Sequence, residues 1–282
     1  MGEYCRPNSL EDAFTRLSQG NWTLLAGGTD YFPAIVGYQP DDNLLDLTNI
    51  KALSGITETA EGWRIGATTT WTEIIKAPLP PLFDGLKTAA SKIGGRQIQN
   101  AATIGGNICN ASPAADGAVA LLALGTGVEI SDGQKTEKIP LEEFVLGNRK
   151  TVLKPDQMLT NFFIPALGCT HSHSTFLKLG ARKYLVISLT MVSGVIGSDE
   201  SGVIKECRIS VGACSEVATR LTALEADLKG RRIGPKLGAI LTDDYFTGLS
   251  PIDDVRASGE YRLHAAKTLV ARLLTDWGQL ND

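Results

Sequence analysis

No two cysteines in the chain are spaced C-x-x-C, and the five present (Cys5, Cys109, Cys169, Cys207 and Cys214) are odd in number and widely scattered. This pattern argues against a disulfide framework, a zinc site or an iron–sulfur cluster held by this chain alone. No apolar run reaches the roughly 18 residues of a membrane span. The opening MGEYCRPNSLEDAF has no apolar signal-peptide core, and Arg6 stands where a myristoylation signal needs serine or threonine. Basic clusters are scarce as well. Arg149-Lys150, Arg182-Lys183 and Arg231-Arg232 are the only adjacent basic pairs, and the net charge is −4, which speaks against a nucleic-acid partner. These absences together predict a reduced, cytoplasmic, soluble protein with no transmembrane segment.

The usual catalytic and nucleotide signatures are missing too. There is no G-x-x-x-x-G-K-[ST] and no G-x-G-x-x-G after a strand, so neither a P-loop nor a Rossmann fingerprint is available. The three histidines, His171, His173 and His264, all lie beyond residue 170. His171 and His173 form an H-x-H without a third ligand, which reads as an exposed linker rather than a metal site. His264 reads as a surface residue. Asp243-Asp244 and Asp253-Asp254 read as solvated loop or cap charges. With no Ser-His-Asp or Cys-His set, chemistry on an organic substrate is expected to belong to another chain.

What is present is ordinary globular composition, 43% hydrophobic and 21% charged over 282 residues, enough for roughly two domains. Asn8-Ser9 offers an N-cap, and Leu10, Ala13, Phe14 and Leu17 follow at helical spacing until Gly20. Trp22 to Ala26 and Asn43 to Leu47 read as strands, making a small βαβ-like layer. A strand and a helix starting at Thr70 or Thr72 follow within WRIGATTTWTEII, and GLKTAASKIGG reads as a helix with a glycine stop. Ser112-Pro113 predicts a helix start, with Ala118, Leu121 and Leu122 facing inward. Asp132-Gly133 predicts a hairpin. Beyond about residue 165, Cys169 to Thr175 reads as a polar linker. Ser188 to Ile196 and Lys205 to Cys214 alternate as an antiparallel hairpin, Thr219 to Leu228 reads as a helix, and Leu263, Ala266, Val270, Leu273 and Trp277 mark an amphipathic helix.

Two glycine pairs carry the chemistry. LLAGGTDYFP (residues 24–33) leaves a strand through Gly27-Gly28, then adds Thr29 and Asp30, while TIGGNICNASPAAD (residues 103–116) repeats the device. Glycine permits turns with positive φ and close ligand approach, and consecutive N–H groups form nests for phosphate oxygens. Thr29 and Thr103 offer hydroxyls, Asn107 an amide, and Asp116 a carboxylate suited to sugar hydroxyls. A single Gly-Gly is a plain turn, whereas two such loops nearly eighty residues apart suit a diphosphate bridging two lobes.

LLAGGTD followed by QIQNAATIGGNICNASPAAD resembles the paired FAD-binding motifs of the medium subunit of molybdenum hydroxylases, the carbon monoxide dehydrogenase and bacterial xanthine dehydrogenase type. The resemblance runs the length of the chain, from RPNSLEDAF through IGATTTWTEI and FLKLGARK to DVRASGEYR. It implies an α+β protein: a bilobal FAD-binding domain of the vanillyl-alcohol-oxidase/PCMH type over residues 1–170, in lobes of about 1–55 and 56–170, then a smaller α+β domain over 171–282. It implies cofactor contacts from Leu25, Ala26, Gly27, Gly28, Thr29 and Asp30, and from Thr103, Ile104, Gly105, Gly106, Asn107 and Ser112. The backbone N–H groups of Gly27, Gly28, Thr29, Gly105 and Gly106 would hold the diphosphate, and Asp116 a cofactor hydroxyl. Leu159 matches an apolar FAD contact and Lys178 the lysine of the F-x-K segment, with Arg182 to Ile187 near the isoalloxazine. Cys109 stands where the family has an apolar residue, and packing is its expected role. The implied FAD is non-covalent, since no histidine precedes residue 171. Molybdenum cofactor and [2Fe–2S] clusters would sit in a large molybdopterin-binding partner and a small iron–sulfur partner, in a heterotrimer doubled by two-fold symmetry. A cofactor-free scaffold of the same fold and a stand-alone flavin oxidase are the alternatives left open.

Overall fold

The computed structural model describes residues 2–37 and 40–280. Strand β1 (Tyr4–Cys5), helix α1 (Leu10–Gln19), strand β2 (Thr23–Leu25), the short helix α2 (Tyr31–Ala34) and strand β3 (Leu44–Asp46) open the chain. The strands form a parallel sheet in the order β1-β3-β2, with Leu24 opposite Leu45. Ser9 caps α1 by accepting the Asp12 N–H at 3.1 Å, while Ala13 and Leu17 turn inward. The expected βαβ-like layer is therefore present, with β1 as a third strand too short to announce itself by alternation.

The next stretch alternates strands and short helices. It contains β4 (Ile56–Thr59), β5 (Gly62–Gly66), α3 (Trp71–Lys76), α4 (Asp84–Lys92), α5 (Arg96–Ala101), α6 (Ile104–Asn110), α7 (Asp116–Ala123), β6 (Gly127–Ser131), β7 (Thr136–Pro140), α8 (Leu141–Phe144), β8 (Val145–Gly147), β9 (Lys150–Thr151) and β10 (Met158–Pro165). Five strands make an antiparallel sheet, β4-β5-β10-β6-β7. Thr70 begins α3 through a full capping box with Glu73. The predicted β6–β7 hairpin turns at Gly133, whose φ is +90°.

The helix expected to start at Ser112-Pro113 begins instead at Asp116. The Ala115 N–H folds back onto the Ser112 carbonyl at 3.0 Å, and the Pro113 carbonyl, which a helix would use internally, accepts the Ala213 N–H at 3.0 Å. Helix α7 is buried on nearly every side, Ala118 alone being half-buried. A helix that is apolar all round belongs inside a protein, between layers.

The third sheet, β11 (His171–Gly180), β12 (Ser188–Ser198), β13 (Ile204–Gly212) and β14 (Thr219–Arg220), is antiparallel in that order. It is followed by α9 (Thr222–Leu228) and α10 (Gly259–Gly278). The polar stretch read as a linker is strand β11, because His171 to Thr175 pair with Ser198 to Gly194. Strand β12 is buried along its entire length rather than on one face. Met191 and Val195 join the core of the five-stranded sheet and its helices, while Val192 and Ile196 join the core beneath α10. At Gly194 a Cβ would stand 2.6 Å from the Trp277 ring, so the glycine admits α10 to close contact. Asp254 is not a merely solvated charge. Its Oδ1 accepts from Nη2 of the buried Arg262 at 2.7 Å, while Arg262 Nη1 donates to the Leu189 carbonyl at 2.6 Å. No helix among the described residues is long and apolar enough to cross a membrane.

Candidate functional site

Strand β2 delivers the chain into Gly27-Gly28. Gly28 has φ of +66°, and the Phe32 N–H closes onto its carbonyl at 3.0 Å to start α2. Gly27 has a different reason to be glycine: a Cβ there would lie 1.9 Å from the Ala101 carbonyl oxygen and 2.9 Å from the Ala102 Cα. The first motif thus abuts the residues leading into the second. Among the described residues, the main-chain N–H groups of Gly27, Gly28 and Thr29 have no protein acceptor. Free N–H groups in succession around a left-handed turn are what an anion requires.

The second motif is built differently from its expected form. Gly105 and Gly106 do not form a positive-φ loop; they lie in the first turn of α6, which Thr103 caps by accepting the Gly106 N–H at 3.1 Å. The Gly105 N–H donates to the Ala67 carbonyl at 2.8 Å, and a Cβ at Gly105 would stand 2.6 Å from that oxygen. These two N–H groups, expected as donors to a diphosphate, are therefore engaged inside the protein. Gly105 serves close packing of α6 on the end of β5. Gly106 is exposed, and a Cβ there would meet only Thr103 Oγ1, at 3.0 Å, so this face of α6 is open to a ligand.

The helical phase sorts the remaining residues. Ile104, Gly105 and Ile108 face inward, which turns Gly106 and Cys109 outward. Cys109 thus has exposed surface on this face of α6, while burial of its thiol pushes it up to about 12. The half-buried Asn107 has a buried Oδ1 with no partner, close to Gly117. Asn110 donates Nδ2 to Asp30 Oδ1 at 3.3 Å, and Arg149 donates Nη1 to Asp30 Oδ2 at 3.0 Å. Neither Asn110 nor Arg149 carries a local signal that singles it out.

Between the parallel sheet and the five-stranded sheet lies a cleft of about 610 Å³. That is within the range of small-molecule and cofactor sites. Leu25, Ala26, Gly27 and Thr103 line it, joined by residues the sequence reading did not select, chiefly Asp46, Thr48, Thr68 and Thr70. Burial raises the Asp46 carboxyl, but hydrogen bonds from Thr48 and Tyr4 outweigh burial and hold it below its ordinary value. Another cavity, of about 350 Å³ beside Lys138 and Arg220, shares no residue with either motif.

Only Leu25, Ala26, Gly27 and Thr103 of the expected site residues line this cleft; Leu159, Asp116, Lys178 and Ser112 are among those that do not. Leu159 is 4% exposed in the core, opposite Ile130. Asp116, in the first turn of α7, has both carboxylate oxygens engaged: Lys178 Nζ at 2.6 Å and Ser188 Oγ at 2.5 Å. Burial pushes this carboxyl up, and the Lys178 ammonium and Ser188 hydroxyl pull it back without cancelling the rise. Ser112 makes the turn before α7, its Oγ accepting the Ala114 N–H at 3.3 Å. The loop over Arg182 to Ile187 crosses above Gly95, and Arg182 Nε donates to the Leu185 carbonyl at 3.1 Å.

The family described as "FAD binding domain in molybdopterin dehydrogenase" matches residues 1–167, and the "CO dehydrogenase flavoprotein C-terminal domain" matches residues 176–277. The putative xanthine dehydrogenase FAD-binding subunit of Escherichia coli (strain K12) is 29% identical over 98% of this chain and 96% of its own length. A solved carbon monoxide dehydrogenase from Hydrogenophaga pseudoflava, lacking the Mo-pyranopterin moiety of the molybdenum cofactor, superposes with a TM-score of 0.84 at 25% identity. That match covers 96% of this chain and 95% of the other. Quinoline 2-oxidoreductase from Pseudomonas putida 86 shares the fold with a TM-score of 0.88 at 24% identity, covering 99% and 97% of the two chains.

Proposed function

The chain belongs to the family of FAD-binding domains of molybdopterin dehydrogenases, and on that premise we propose that it is the FAD-carrying, electron-transfer subunit of a molybdenum-containing dehydrogenase. The observation that carries the reading is the abutment of Gly27 on Ala101 and Ala102, which sets the strand-end loop with the unpartnered N–H groups of Gly27, Gly28 and Thr29 against the segment leading into α6, whose Gly106 is exposed and bare. A diphosphate fits that arrangement: free donors on one side, and on the other a helix face without side chain to obstruct it.

In this reading Leu25 to Asp30 supply the donors and the wall of the cleft. Thr103 to Asn107 supply the close approach, with Thr103 fixing the first turn of α6. Ser112 and Asp116 hold the entry to α7, and Lys178 balances Asp116 from β11. Leu159 supports the floor from the core rather than from the cleft surface. FAD, non-covalently bound, supplies reversible electron acceptance; the chain's share is to orient it, exclude water and set the charge around it.

The wider proposal places [2Fe–2S] clusters in a small partner and the molybdenum cofactor in a large molybdopterin-binding partner, with electrons passing through FAD to an external acceptor. The relatives' description as FAD-binding subunits supports such partners, and a dimer of heterotrimers is the assembly we propose. We further propose a bilobal vanillyl-alcohol-oxidase/PCMH-type domain over 1–170, a C-terminal domain over 171–282, and action in the cytoplasm, which the five unpaired thiols suit.

The test is spectroscopic. The purified chain, given FAD, is expected to turn yellow with about one flavin per chain and to release it on acid denaturation. A colourless protein that takes up no FAD would favour the scaffold reading. Turnover of an organic substrate without partner chains would favour a stand-alone oxidase.

A further inference from the structure

Arg149 joins the two glycine motifs through two different parts of itself. Its main-chain N–H donates to the Ala111 carbonyl at 3.2 Å, and Ala111 ends α6 in the left-handed region at φ +49°. Its guanidinium reaches Asp30 Oδ2 at 3.0 Å across 119 residues of chain, while Asn110, the last residue of α6, holds Oδ1. One carboxylate of the first motif is thus gripped from the far end of the second motif's helix.

The backbone of Arg149 gives the second observation. It lies in the connection between β8 and β9 with φ of +56°, a conformation glycine adopts freely and side chains with a Cβ adopt under strain. Were the turn alone at stake, glycine would be the relaxed occupant. Strain of this kind is kept where a side chain has a task. That task is not global stability, because the pair is about half-exposed, with side-chain exposures of 63% and 50%, and exposed ion pairs contribute little to folding. Its effect is on the angle between the loop carried by β2 and the helix α6. Parting the loop after β2 from the end of α6 would break it.

We propose that Arg149 is a positioning residue whose ion pair with Asp30 latches the two glycine motifs in register, closing over bound FAD and opening as FAD enters or leaves. This rests on the FAD reading above.

The experiment measures FAD dissociation from the reconstituted chain, melting of the apoprotein, and amide hydrogen exchange of Phe32, Ala34 and Ile35, whose N–H groups close onto Gly28, Asp30 and Phe32. Arg149→Gly removes the guanidinium and relaxes the backbone together. Dissociation is expected to quicken about fivefold, the factor set by an exposed ion pair, while the apoprotein melts no lower than wild type. In wild type, dissociation should quicken with added salt toward the variant's rate, and the variant should respond little. The exchanged pair Asp30→Arg with Arg149→Asp should return dissociation to near the wild-type rate. Unchanged dissociation in Arg149→Gly overturns the latch. So does a swapped pair that remains as weak as either single variant, since Arg149 would then touch the ligand directly. A wild-type chain that takes up no FAD defeats the cofactor reading instead. The latch is then judged on the exchange of Phe32, Ala34 and Ile35, which must rise in Arg149→Gly for it to stand.

Discussion

The ammonium of Lys178 lies 2.6 Å from a carboxylate oxygen of Asp116, with both side chains buried, 9% and 4% exposed. The contact ties strand β11 to the first turn of α7 and so fastens the four-stranded sheet to the helix layer beneath it. A buried pair of this kind is expensive to break on one side, because the remaining charge has no water to turn to.

Lys178→Met is therefore expected to destabilise the fold by about 3–5 kcal/mol, leaving the Asp116 carboxylate with Ser188 alone. The double variant Lys178→Met with Asp116→Leu should lose less, since no charge remains buried. Urea unfolding at neutral pH measures both. A single variant within about 1 kcal/mol of wild type would refute the pair's structural weight.

The two motifs should separate under glycine replacement. Gly27→Ala places a methyl 1.9 Å from the Ala101 oxygen and forces the parallel sheet away from α5, so it should unfold or melt much lower. The Cβ of Gly106→Val meets only Thr103 Oγ1, at 3.0 Å, so its fold should survive by circular dichroism while FAD retention is lost. Flavin content near wild type in Gly106→Val would dismiss the close-approach role.

Acid sensitivity should map to Asp254. Backbone donation from Arg256 foremost, followed by the Arg262 guanidinium, holds its carboxyl at about 2 against some opposition from burial. A folded value below the unfolded one stabilises above the unfolded value and is lost as pH falls through the folded one. Wild type should thus lose this contribution between about pH 4 and pH 2, the ordinary and the depressed values. Asp254→Asn should show a flatter acid limb in that window, with lower stability at neutral pH. Parallel melting curves from pH 5 to pH 2 would contradict it.

Trp277→Ala should cost about 3–5 kcal/mol by emptying the space between α10 and β12 that Gly194 leaves for the indole. Differential scanning calorimetry reads the loss directly. A shift of only a degree or two in Tm would mean that the helix collapses into the gap.

The legible parts of this protein are those whose signal lies within a few residues. Ser9 and Thr70 advertise caps, Leu10 to Leu17 a helix face, Asp132-Gly133 a hairpin, and AGGTD with TIGGN a resemblance that names both the family and FAD. Parts that depend on distant pairing went astray. Cys169 to Thr175 is polar enough for a linker, yet its backbone pairs with β12. Ser112-Pro113 has the chemistry of a helix start, yet Ala213 claims the Pro113 carbonyl.

The amino-acid sequence by itself determined where the helices capped by Ser9 and Thr70 begin, where the Asp132-Gly133 hairpin turns and which family the chain resembles, because caps, turns and motifs are written in neighbouring residues. Tertiary structure alone decided that Gly27 lies on Ala101, that Arg149 reaches Asp30, and that the Gly105 N–H is already engaged by the Ala67 carbonyl. These are contacts between segments tens of residues apart. No local periodicity encodes them, since they arise only when apolar faces such as α7 are buried between layers and bring the two glycine motifs together.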